Sequence, residues 1–258
     1  MRTRQFPVLS ILLATVMAAQ LACGRLDRLG KSGSTTPSND PTVDEILERY
    51  QKAVGGQEAV ERVKSYAATG RFETSVKRVS GTFQAWGKEP NKTLSMIDFG
   101  PNGMLKKGFD GETRWLQTPV GTTSDNSPEE MAEMERDAEI YRAGKIKSLY
   151  QWMKLEGKAN LNGRGVYIVE GIPVKGPSEK LFFDRENGLL LRWDMARKVP
   201  ERGNVFVKVF LDDFREIDGV KEPFIVRFAF ESFDFTIKLD ELKHNVPIDD
   251  SIFRKPGK

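Results

Sequence analysis

Few side chains in this 258-residue chain have the type and spacing to do covalent chemistry. Cys23 is the one cysteine, in the stretch AAQLACG, and His244 is the one histidine, in ELKHNVPID. A thiolate nucleophile needs a positioned base, and Cys23 sits in or beside a segment that is processed. A lone histidine next to a strand end reads as a surface or edge residue rather than a base. Asp212-Asp213 and Asp249-Asp250 are adjacent pairs. Neighbours on a strand point to opposite faces, so neither pair converges as acid and base. No Gly-x-Ser-x-Gly, His-Glu-x-x-His, cysteine pair or phosphate loop occurs. The sequence therefore predicts no catalytic residues, no metal site and no cofactor.

The chemistry left to Cys23 is attachment of lipid. Met1 to Gln5 carries Arg2 and Arg4 and no acid, and Val8 to Ala19 is apolar except for Ser10 and Thr15. Small residues follow at Ala18, Ala19 and Ala22. That order is a secretory signal, too short for a comfortable membrane span. Gln20-Leu21-Ala22-Cys23 fits a lipobox at Ala22 and Cys23 and departs from it at Gln20 and Leu21. Cleavage after Ala18 is the alternative. The expectation is a signal peptide over 1–22, a lipidated Cys23, and a flexible tether over 23–41. Gly24 to Pro41 is rich in Gly, Ser, Thr, Pro and Asn without an apolar period.

Composition narrows the remainder. The 40 basic residues nearly balance 37 acidic ones, a net charge of +3, and two of the arginines lie in the leader. Basic and acidic residues interleave, so charge gives no argument for nucleic acid as a partner. With no cysteine after position 23, residues 42–258 must stand on an apolar core, and they form one domain rather than two.

The elements follow from periodicity. In TVDEILERYQKAVGG, Thr42 and Glu45 form a capping box, and Val43, Ile46, Leu47, Tyr50 and Val54 make one stripe that Gly55-Gly56 stops. A short helix is expected over Gln57 to Val63. The period then changes to two: Tyr66, Ala68, Gly70 and Phe72, and next Val79, Gly81, Phe83 and Ala85, alternate with their neighbours. Strands are expected near 92–99, 104–109 and 112–117, with Asp110-Gly111 as a hairpin turn. Residues 118–147 interrupt the sheet with a helix capped by Ser127, with Pro128 at its first position and Glu130 closing the cap. Its stripe of Met131, Met134, Ala138 and Tyr141 is narrow, and its charged face, Arg136 included, is expected in water. Strands resume near 149–160, 165–172, 179–185, 189–197, 204–216, 220–231 and 233–242, with turns at Asn162-Gly163, Asn187-Gly188 and Asp218-Gly219.

Hairpin after hairpin without intervening helices implies antiparallel pairing, and a sheet of about eleven strands must curl or close. The fold class expected is mainly β with helices (α+β): a strongly curved, half-open antiparallel barrel with helices packed in or over its opening. A two-residue turn at Glu231-Ser232 sets Phe230 opposite Phe233 and Phe228 opposite Phe235. Phe224, Val226, Ile237 and Leu239 then join them on one face. Neighbouring strands add Leu189, Leu191, Trp193, Val205, Val207, Val209 and Leu211. Most of these residues pack a core. A concave face too wide for its helices would also leave an apolar groove, for which the candidate lining is Phe72, Phe83, Leu191, Trp193, Phe228, Phe230 and Phe235. The 118–147 helix is a candidate lid through Met131, Met134 and Tyr141, or an ordinary surface helix on the sheet edge.

The segments TVDEILERYQKAVGGQEAVERVKSY, NLNGRGVYIVEG, FFDRENGLLLRWD and FREIDGVKEPFIVRF…FTIKLDELKHNVPIDDSIF resemble outer-membrane lipoprotein-sorting (LolA/LolB-like) proteins of Gram-negative bacteria. The similarity runs from Thr42 to Phe253. It implies a half-open barrel capped by helices over an apolar cavity that takes lipid acyl chains. It also implies a periplasmic, non-enzymatic role in lipoprotein sorting. The soluble carrier of that family has no lipid anchor and its receptor has one, so a lipidated Cys23 sets this chain nearer the receptor. The expected partners are acyl chains, the outer membrane through the N-terminal anchor, and an envelope protein, with the chain itself monomeric. The rival reading is an envelope interaction module whose cavity is filled. On the anchoring reading, Cys23→Ser expressed in a Gram-negative host moves the protein from the membrane pellet to the soluble fraction. An unchanged distribution would sink that expectation.

Overall fold

A computed structural model of the chain describes residues 40–257, apart from 76–78, 125–127, 141, 175 and 200–202. The signal peptide, Cys23, all of the tether before Asp40, the Ser127 cap and Tyr141 lie outside the described residues.

The first helix, α1 (Val43–Ala53), starts on the capping box legible in the sequence. The Glu45 amide donates to Thr42 Oγ1 at 3.2 Å and the Thr42 amide donates to Glu45 Oε2 at 2.7 Å, so both orphan amides are satisfied. Gly55 ends it at φ +122°, where a Cβ would collide with the Gly219 carbonyl; only glycine permits both the conformation and the approach. A second, shorter helix, α2 (Gln57–Glu61), follows.

The first run of strands is β1 (Ser65–Thr74), β2 (Ser80–Lys88), β3 (Lys92–Asp98), β4 (Met104–Phe109), β5 (Arg114–Thr118) and β6 (Gly121–Ser124). Helices α3 (Pro128–Ala138) and α4 (Arg142–Lys145) and a 3-10 turn (Ile146–Leu149) come next. The second run is β7 (Tyr150–Leu161), β8 (Arg164–Pro173), β9 (Glu179–Asp184), β10 (Leu190–Val199), β11 (Gly203–Ile217), β12 (Val220–Ala229) and β13 (Asp234–His244). Two of the predicted turns have both central residues at positive φ: Asn162 and Gly163 stand at +53° and +88°, Asp218 and Gly219 at +50° and +82°, whereas at Asp110-Gly111 and Asn187-Gly188 only the glycine does.

All thirteen strands form one antiparallel sheet in the order β6-β5-β4-β3-β2-β1-β13-β12-β11-β10-β9-β8-β7. The sequence reading expected about eleven strands; β6 is a strand it did not see, inside the 118–147 segment. Gly121, Thr122, Thr123 and Ser124 have no apolar alternation, and what makes them a strand is pairing with β5 across Pro119-Val120.

Each run is a meander, and the pairing of β1 with β13 joins the two at the middle of the sheet. The edge strands are consequently β6 and β7. The 125–149 segment connects them, so it must cross from one edge of the sheet to the other. The sheet is curled. Strands β4 and β9 lie eight places apart in the order, roughly 38 Å if the sheet were flat. Yet Phe109 of β4 packs against Met134 of α3, and Glu179 of β9 pairs with Arg136, two residues further along that helix. A helix of 11 residues is only about 16 Å long. Among the described residues β6 and β7 do not pair, so the curl stays open.

Helices fill one end of the concave side. Ile46 and Leu47 of α1 pack on Val169, Leu181 and Phe183. At that end Val54, Ala59 and Val60 share a second buried cluster with Leu189 and Val220. On the convex side, the segment after β13 folds back over β3 and β5. There Phe253 is fully buried against Leu94 and Trp115, and the Trp115 indole N–H donates to the Phe253 carbonyl at 2.7 Å. Lys88 and Lys92 hold Asp250, and their hydrogen bonds pull its carboxyl down to about 2. Removing the buried ring leaves a cavity, so Phe253→Ala is expected to cost about 3–5 kcal/mol in denaturant unfolding. A loss under about 1 kcal/mol would show that the tail only rests on the sheet.

Candidate functional site

The register of the last hairpin sets the site. Val226 pairs with Ile237 and Phe228 with Phe235, and the Phe230 amide donates to the Phe233 carbonyl at 2.8 Å. This is the register read from the sequence, although the Glu231-Ser232 turn has neither Gly nor Asn. Cross-strand pairing continues that face through Phe72 on β1 and through Val209 and Trp193 on β11 and β10. It is the concave face, the one that meets α1 and α3.

Six phenylalanines on this side form a chain of ring contacts. Centroids lie 5.6 Å apart for Phe99–Phe72, 5.3 Å for Phe72–Phe235 and 4.7 Å for Phe235–Phe228. The chain continues at 6.0 Å for Phe235–Phe230 and 4.4 Å for Phe230–Phe233. Stacked and edge contacts at these separations add to the burial of each ring. Phe72 and Phe99 are buried at one end, whereas Phe228, Phe230, Phe233 and Phe235 are only half-buried. Met195, Val207 and Val209 form the buried floor beside them, with Trp193, Leu211 and Val226 packed against it. The outer face of the same strands is charged: Arg227 pairs with Asp234, Lys238 with Glu73 and Arg71 with Asp240. Exposed pairs of this kind stabilise little, but they show which face meets water.

The candidate lining residues divide accordingly. Phe228, Phe230 and Phe235 stand in the half-exposed wall, with Trp193 at its inner end. Phe72 and Phe83 are buried beneath it. Leu191 packs with Val54 and Val60 and belongs to the core under the helices. Phe233 and Phe99 were not among the candidates; the stacking that recruits them was legible for Phe233 from the hairpin and not for Phe99.

At the helical end, the wall meets a buried polar network that sequence reasoning missed. Glu179 is 2% exposed, and Arg136 of α3 pairs with its Oε1 at 2.7 Å. The Tyr150 hydroxyl and the Trp193 indole N–H both donate to Glu179 Oε2 at 2.8 Å. Burial, together with the Glu179 carboxylate, pushes the Tyr150 phenol well above its ordinary pKa, so it remains a donor. The Arg142 guanidinium lies 3.8 Å over the Trp193 ring and donates to the Arg136 carbonyl at 3.1 Å. Arg136 is thus a correction to the reading of α3 as charged on its whole outer face: it is 8% exposed. A charge run reports average polarity and carries no information about an acid 43 residues away. Met134 is buried against Phe109 and Met131 packs beside it.

His244 is likewise not an edge residue. Its side chain is 1% exposed, with Nε2 3.5 Å from Glu222 and Nδ1 3.7 Å from Asp218. It pairs across strands with Tyr66, whose phenol is raised to about 12 by burial and then by Glu222. A ring closed off this way offers no path for a substrate. Among the described residues no cluster of His, Cys, Asp and Glu could hold a metal ion, and no helix is long and apolar enough to cross a membrane.

The sequence matches no family model and no curated protein. Solved structures do match. A DUF1329 family protein from Desulfovibrio piger aligns at a TM-score of 0.57 and 14% identity, over 82% of this chain and 97% of that one. A LolA superfamily protein from Nitrosomonas europaea aligns at 0.55 and 13%, over 84% and 99%. A domain from Vibrio parahaemolyticus, named for outer membrane lipoprotein sorting, aligns at 0.53 and 12%, over 81% and 94%. The chain therefore has the fold of LolA superfamily proteins, as its sequence resemblance implied.

The polar network tests directly. Arg136→Met strands the Glu179 carboxylate in a buried site, and the expected loss in denaturant unfolding is about 3–5 kcal/mol. Tyr150→Phe removes one of several hydrogen bonds to that carboxylate and should cost about 1 kcal/mol. Equal, small losses would mean that water already solvates Glu179.

Proposed function

We propose that this protein is a non-enzymatic carrier or receptor of the cell envelope that holds acyl chains of lipoproteins or other lipids in its concavity. One observation carries the reading: Phe228, Phe230, Phe233 and Phe235 form a stacked apolar wall that the protein's own helices leave half-exposed. A contiguous apolar patch left open on a folded domain marks a surface that something else covers. Enclosing a sixteen-carbon chain contributes roughly 12 kcal/mol gross, at about 0.8 kcal/mol for each CH₂. A wall open on one side realises only part of that, which keeps release feasible.

In this reading Cys23 carries lipid, residues 23–41 tether the domain 42–258 to the outer membrane, and the domain works in the periplasm as a monomer beside an envelope protein partner. The 118–147 segment serves as the lid, with Met134 seating it on Phe109 and Met131, only partly buried, as its contact with the cargo. Its position supports this, because the chain between β6 and β7 has to cross the opening. The fold shared with a domain named for lipoprotein sorting supports the cargo class.

Mass spectrometry of the protein purified without detergent is expected to find co-purified lipid. Phe228→Asp should weaken binding of a fluorescent fatty acid more than tenfold, about 1.4 kcal/mol. Thr236→Asp, on the charged outer face, should leave it unchanged. No co-purified lipid, together with equal affinity in both variants, would identify an interaction module with a filled cavity instead.

A further inference from the structure

The convex face carries a second apolar site, and it does not depend on the concave one. A cavity of about 700 Å³ lies between the outer surface of β2–β5 and the chain after β13. That volume falls within the range of roughly 300–1,000 Å³ typical of small-molecule sites. Its floor is Trp86, Leu94, Met96 and Trp115, all on the side of the sheet opposite Phe83 and Phe109. Its far wall is Ile248 and Ile252 of the returning tail. Phe253 fills the space beneath, but Trp86, Met96, Ile248 and Ile252 are only partly buried.

The rim is cationic. Lys106 of β4 and Arg254 and Lys255 of the tail line the opening, against one carboxylate, Asp249. Asp249 is already engaged, accepting from the Ser251 amide at 2.8 Å to cap the 3-10 turn Asp250–Phe253. Asp250 contributes nothing to the rim, since Lys88 and Lys92 hold it. Lys106 makes no ion pair among the described residues. The cavity thus presents an aromatic and aliphatic floor under a surplus of positive charge. Apolar body and anionic head are the complement of that surface.

We infer that this pocket binds an anionic single-chain amphiphile, a long-chain carboxylate whose head meets Lys106 and Arg254 and whose chain lies along Trp86 and Met96. It is a second site for a free amphiphile, on the opposite side of the sheet from the phenylalanine wall.

The four tryptophans make the test selective. Trp152→Phe with Trp193→Phe leaves Trp86 and Trp115 as the only indoles, both in this pocket. Dibromostearate should quench their fluorescence, and its methyl ester should need at least a tenfold higher concentration. Lys106→Glu with Arg254→Glu in the same background should raise the midpoint for quenching of Trp86 and Trp115 at least tenfold, while Phe228→Asp, which weakens the concave site, leaves that midpoint unchanged. Failure to quench overturns the site. Equal midpoints for acid and ester, or indifference to the charge reversal, overturn the ligand class. Should Trp193→Phe fail to fold, ¹³C-methyl-methionine spectra of the unmodified protein decide: the Met96 methyl must shift with stearate, and an unmoved resonance overturns the inference.

Discussion

The pairing of β1 with β13 is the constraint on which the rest of this protein depends. It joins the first strand to the last, so two meanders become one sheet whose edges are the consecutive strands β6 and β7. Chain connectivity then obliges the segment between those edges to traverse the opening. A helix laid across a curled sheet touches both flanks at once, and α3 does so through Met134 on Phe109 and Arg136 on Glu179. The position of the helical segment is in this sense a result of topology before it is a result of side-chain chemistry.

The two faces of the sheet then acquire different work. Helices α1 and α2 consume the apolar face of one flank, and the buried Glu179 network closes that end with hydrogen bonds. The last hairpin receives no such cover, so its rings stack on one another and stay half-exposed beside the buried Phe72 of β1. On the convex side, ion pairs and cation–π contacts keep most of the surface wet, with Arg227 lying 4.1 Å over the Phe210 ring as one case. The exception is the region of β2–β5, where two tryptophans require cover and the returning tail supplies it incompletely. Both candidate sites are places where, among the described residues, apolar sheet is only partly covered.

The buried pair Arg136–Glu179 is better read as a device of position than of stability. Desolvating two charges costs several kcal/mol, and their attraction offsets this only with good geometry and further hydrogen bonds. Tyr150 and Trp193 provide those bonds. The result fixes where α3 sits along the sheet, because a displaced helix leaves Glu179 buried without its cation.

Local pattern was enough for much of this. The capping box at Thr42 and Glu45, the turns at Asn162-Gly163 and Asp218-Gly219, and the opposition of Phe228 to Phe235 each depend on residues close in sequence, whose geometry is set by backbone sterics and a period of two. The sequence by itself therefore determined most of the elements, the antiparallel class and the apolar face of the last hairpin. Only the tertiary structure decided that Gly121–Ser124 pair as a strand, that Arg136 and His244 are buried, and that the tail after β13 roofs a cavity over Trp86 and Trp115. Those outcomes rest on contacts between residues far apart in the chain, and neither periodicity nor composition records which distant partner a polar side chain or an apolar face will meet.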